Sequence, residues 1–110
     1  MFRRSDNQRS SWSPPLQLAA ILGATRAFVS QSTREGWPAE SPVECSLVLD
    51  GMIATCISRG QTPPPEYSSI QFAPTGPIQE IAMVNGWHDE YMDLAEEYDR
   101  LASSLGYFEP

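Results

Sequence analysis

The sequence has no lysine, one histidine (His88) and only two cysteines (Cys45 and Cys56). Each scarcity removes a class of function. A phosphate-binding loop needs spaced glycines and a lysine, and neither is present in that arrangement. A structural zinc site needs four thiolate or imidazole ligands, and a disulfide-rich scaffold needs more than one pair of thiols. No apolar run approaches the roughly 18–20 residues that cross a bilayer. Cofactors and metals are therefore not expected.

What the chain does have is enough apolar material for one core. It holds 110 residues, of which 41% are hydrophobic. That excludes wholesale disorder and fits a single domain.

The net charge is −7, and it is unevenly laid out. Residues 1–35 carry five arginines against Asp6 and Glu35, whereas residues 80–110 carry Arg100 against eight acids. Nucleic acid and anionic membranes are repelled by the second segment, and a basic protein is attracted to it. Arg3, Arg4 and Arg9 before the apolar stretch at 16–24 loosely mimic a secretory leader. The polar lead is 15 residues long, however, and no small-x-small cleavage site precedes Arg26. The expectation is a cytoplasmic protein with reduced cysteines.

Residues 1–13 lack any hydrophobic period and read as a disordered basic arm, residues 14–106 as one helical domain, and residues 107–110 as a tail. Ser13 before Pro14-Pro15 is a helix start. Leu18, Ile21, Leu22, Thr25, Phe28 and Val29 then share one helical face until Gly36 and Pro38 stop the pattern near residue 35.

The segment 42–59 has two readings. Asp50-Gly51 between apolar runs fits a hairpin over 43–58, with Cys45 opposite Cys56. A helix is the other: Ser41 caps it, Pro42 opens it, Glu44 completes a capping box and Gly60 stops it. The flanking signals favour the helix. Cys45, Val48, Leu49, Met52, Ile53 and Cys56 line one face, with Leu47, Ala54 and Ile57 partly on another. Two buried faces would make this helix the central member of a bundle.

Residues 60–68, with three prolines, read as a stiff linker, and 69–72 as a short turn of helix or strand. Thr75 can cap a short helix that buries Ile78, Ile81 and Ala82 and ends at Asn85-Gly86. The last helix is the most regular. Tyr91, Leu94, Ala95, Tyr98, Leu101, Ala102 and Leu105 share one face, and Asp89 and Glu90 sit in its first turns, where acids suit the dipole. The expected fold is mainly α, a small helical bundle of three long helices and one short one. The alternative is α+β with a hairpin at 43–58.

No nucleophile elbow or catalytic cysteine setting is present, and His88 stands alone as a base. His88 and Asp93 are five residues apart, which does not bring them onto one helical face as ligands. The acids of the last helix look solvated, and a solvated face does not raise a carboxylate pKa for general acid work. The expectation is a protein without enzymatic activity.

Residues 69–105 resemble a class of small, uncharacterised bacterial helical domains. Those place a turn of the form Gly-x-Gly-Ser-aromatic-Asn-Asp before a short helix, a loop and a final helix. The counterpart here runs from Pro74 to Glu80, then Asn85-Gly86-Trp87 and the helix at 91–105. Gly76 and the Gln79-Glu80 pair match in kind, while Pro74 replaces the first glycine and Ile78 the aromatic. Domains of this class are often encoded beside toxins, so the resemblance implies an immunity-type inhibitor and transfers no catalytic residue.

These readings converge on a non-enzymatic protein-binding domain. Its sharper form presents an acidic helix to a basic toxin or nuclease. The candidate contact residues are Asp89, Glu90, Asp93, Glu96 and Glu97, with Trp87 and Tyr91 as aromatic anchors. The alternative is a structural subunit or small homo-oligomer that uses the second apolar face of residues 42–59.

Overall fold

Among the described residues, proline opens four of the five helices. A proline ring presets φ for a helical first turn and lacks the N–H that would go unpaired there. In the computed structural model, which describes residues 12–33, 41–73 and 76–107, the elements are α1 (Pro14–Ser30), α2 (Pro42–Ser58), α3 (Pro65–Gln71), α4 (Pro77–Asn85) and α5 (His88–Ser104). No strand occurs among the described residues, and none of the helices is long and apolar enough to cross a membrane. The mainly helical expectation holds: three helices have 17 residues and two are short. Most of the basic arm, the end of the tail and the Thr75 cap lie outside the described residues.

The segment 42–59 is a helix rather than a hairpin. Ser41 Oγ accepts from Glu44 N (3.2 Å) and Glu44 Oε1 from Ser41 N (3.1 Å), so both halves of the capping box form. Burial shows the same period. In a strand, Cys45, Leu47 and Leu49 share a face. Here Cys45 and Leu49 are fully buried and Leu47 is 66% exposed.

Three other expectations are corrected. α1 ends at Ser30, short of residue 35, because Ser30 and Ser32 hydroxyls donate to the Ala27 and Phe28 carbonyls and no apolar residue follows to anchor another turn. The linker at 60–68 is shorter than expected, since Pro65 starts α3; of the two readings of 69–72 the helical one holds, with Phe72 the C-cap of α3. Finally, α2 is not central. α1 is the helix that packs against α2, α4 and α5, so the second face of α2 is left open.

The core joins Leu18, Ile21, Leu22 and Val29 of α1, Cys45, Leu49, Met52 and Cys56 of α2, and Ile78, Ile81 and Ala82 of α4 to the regular face of α5. Tyr98 ties α3 to α5. Its ring stacks on Phe72 (centroids 4.6 Å), and its hydroxyl meets Ser68 Oγ at 2.7 Å and Ser69 Oγ at 3.1 Å. α1 and α2 are further joined at their surface by a two-pronged ion pair from Arg26 to Asp50, with Arg26 Nη2 donating to Asp50 Oδ2 at 3.2 Å. The hydrogen bond and charge of Asp50 push the Arg26 pKa further up.

Gly76 stands at the N-cap position of α4. A Cβ there would lie 2.8 Å from both the Ala73 and Ile70 carbonyl oxygens. Both obstacles are backbone, so α3 and α4 would have to separate. Gly76→Ala is expected to cost about 1–3 kcal/mol in thermal or urea unfolding.

Candidate functional site

The acids proposed from sequence for partner contact share α5. Asp89, Glu90, Asp93 and Glu96 are exposed and Glu97 is half-buried. Glu96 pairs with Arg100 one turn on (3.0 Å), an exposed pair. Such pairs are worth about 0.3–0.5 kcal/mol.

The two aromatic anchors are not with them at the surface. Trp87 is 6% exposed and Tyr91 2%. Trp87 stacks on Phe28 of α1 (centroids 5.1 Å, 18° between planes) and donates from Nε1 to Ser32 Oγ (2.9 Å). Tyr91 donates its hydroxyl to the Phe72 carbonyl oxygen (3.2 Å). The amphipathic character of both rings is spent inside the fold: each has an apolar body for the core and a polar end with a partner. As contact anchors they are withdrawn.

Burial, with the charge of Asp99 second, pushes the Tyr91 pKa up to about 12. The fold therefore favours the neutral phenol. Its contribution is complete below the unfolded value near 10 and is lost as pH rises through about 12. Alkaline titration followed by tyrosinate absorbance is expected to show Tyr91 ionising late, a signal that Tyr91→Phe removes, together with a fall in stability over that window.

Both cysteines lie in the core. Cys45 and Cys56 are buried on the inner face of α2, and Cys45 Sγ lies 3.9 Å from Gln71 Oε1. Burial pushes the Cys56 thiol up, away from the thiolate that attack requires. His88 starts α5 with Nε2 3.4 Å from Gln79 Nε2. Among the described residues no three histidine, cysteine or acidic side chains gather as a metal site.

The surface feature that stands out is apolar. Along the outside of α2, Val43, Leu47 and Ile57 are exposed, with Gly51 and Ala54 between them, and Val48 is exposed on the side toward α3. Beside this face runs a groove of about 360 Å³, walled by Val48, Met52 and Thr55 on α2 and by Pro63, Tyr67 and Ile70 opposite. Tyr67 and Ile70 are exposed on α3. The sequence pattern put Val48 on the first buried face of α2 and Leu47, Ala54 and Ile57 on a second, and it did not single out Val43, Tyr67 or Ile70; Val48, Leu47, Ala54 and Ile57 are instead exposed. The signal for α3 was present, since Pro64-Pro65-Glu66 puts a proline and an acid where a helix starts.

No family model, curated protein or solved structure matches the chain.

Proposed function

We propose that the protein is a non-enzymatic interaction domain that joins another protein chain through the outer face of α2 and the groove beside α3. The partner it fits contributes an apolar helix surface. The observation that carries this reading is the exposure of Val43, Leu47 and Ile57 on the outside of α2, with Val48, Tyr67 and Ile70 exposed at the groove beside it. Each such side chain gains about 1.5–3 kcal/mol on full burial. The exposed parts of these six residues amount to on the order of 600 Å², against the ~600–1,000 Å² per partner of a standard interface.

The test is photocrosslinking in the host cell from a benzophenone side chain at position 47 and, separately, at position 93. Adducts from position 47 alone support the reading. Adducts from position 93 alone transfer the contact to α5, and no adduct from either position contradicts binding by both faces.

A second reading rests on Asp89, Glu90, Asp93 and Glu96, which are all exposed on α5. It makes the domain an immunity-type inhibitor that steers a basic toxin or nuclease onto that helix. The two readings differ in salt response. Acid–base association weakens as salt rises above about 0.1 M, while apolar association does not.

A further inference from the structure

We infer that the chain which covers the outer face of α2 is a second copy of this protein, with the two α2 helices packed antiparallel about Gly51. The inference rests on the reading above and names its partner.

Gly51 is the first observation. It lies in the middle of a 17-residue helix, where glycine costs about 1 kcal/mol relative to alanine. The fold does not require it: a Cβ at Gly51 would meet nothing within 4 Å, and its φ is not positive. The absent side chain leaves room only on the outside, where a second helix can approach closely.

The pattern around Gly51 supplies orientation. In a two-fold antiparallel crossing centred between Asp50 and Gly51, Leu47 lies level with Ala54 of the second copy, a large side chain over a small one. Charge agrees. Glu44 near the start of α2 and Arg59 at its end are both exposed. Antiparallel packing brings each within a turn of its opposite on the other copy, whereas parallel packing sets like charge against like. Asp50, the acid nearest the crossing, is already held by Arg26 of its own chain. α5, with its acids, packs on α1 and α4.

Two copies at −7 each repel at long range. Raising salt from about 0.05 to 0.5 M is therefore expected to tighten the pair severalfold, the reverse of an acid–base complex.

The purified chain at about 100 µM is expected to show twice the 12.2 kDa mass by light scattering, with a dissociation constant on the order of 1–10 µM. Leu47→Asp and Gly51→Arg are each expected to raise that constant at least about thirtyfold while circular dichroism stays helical. Gly51→Arg is the sharper variant because it improves helix propensity and so raises the melting temperature of the monomer. Orientation is read by disulfide formation. Positions 47 and 54 of opposite copies meet in the antiparallel pair, while the two copies of position 47 are roughly 10 Å apart along the axis. Leu47→Cys/Ala54→Cys should crosslink between chains and Leu47→Cys alone should not, since a disulfide needs Cα atoms within about 7 Å. A monomeric wild type, dimerisation unaffected by Gly51→Arg, or crosslinking by Leu47→Cys alone would overturn the inference. A monomer that still gives a position-47 adduct to a different protein would leave the interaction-domain reading standing.

Discussion

Trp87→Ala is expected to destabilise the fold by about 3–5 kcal/mol, the range for truncating a large buried aromatic. Three losses add at that position. The ring leaves a cavity beside Phe28, its stacking partner. Ser32 Oγ loses the indole N–H it accepts from. The joint between α4 and α5 also loses its contact with the end of α1, because Trp87 is the N-cap residue of α5. One kcal/mol moves the melting temperature of a domain near 100 residues by about 4–8 °C, so a fall of about 12 °C or more is expected in a thermal scan. A folded variant with near wild-type melting would mean that Trp87 contributes little to the core and would return it to the candidate contact residues. Trp87→Phe keeps most of the stacking surface and should recover more than half of the loss.

The second large effect separates two leucines that are neighbours in sequence. Leu49→Ala is expected to cost about 2–5 kcal/mol, since the side chain is fully buried between α2 and α1. Leu47→Ala, at 66% exposure, is expected to stay within about 0.5 kcal/mol for the monomer. Urea denaturation at low protein concentration measures both. The contrast is specific to a helix: in a hairpin the two leucines share a face and would respond together. At high concentration the order of effects on association reverses. Leu47→Ala weakens the pair directly, whereas Leu49→Ala acts only through unfolding.

The helical core was legible in the sequence because it is periodic. The buried faces of α1, α4 and α5 follow the three- and four-residue spacing of Leu18 to Val29, Ile78 to Ala82 and Tyr91 to Ala102. The start of α2 was legible because Ser41, Pro42 and Glu44 are local signals that act through their own hydrogen bonds. What could not be read was which apolar face meets another helix. Leu47, Ala54 and Ile57 repeat as regularly as core residues do, and only the placement of α1 on the opposite side of α2 leaves them outside. Trp87 and Tyr91 misled for the converse reason. Aromatic residues beside acids look like surface anchors, but Phe28 and Phe72, distant in sequence, draw them inward. Local chemistry is written in the sequence, whereas the direction a face points depends on contacts between elements far apart in the chain.

The outer face of α2 is proposed as the surface on which this protein meets its own second copy. The most direct measurement is a dilution series of amide nitrogen–proton spectra. If two copies pair through α2, cross-peaks of residues 43–58 and of the α3 residues around Tyr67 and Ile70 move with concentration, while those of Asp89 to Glu97 stay fixed. Movement confined to α5, or spectra that do not change with concentration, would contradict it.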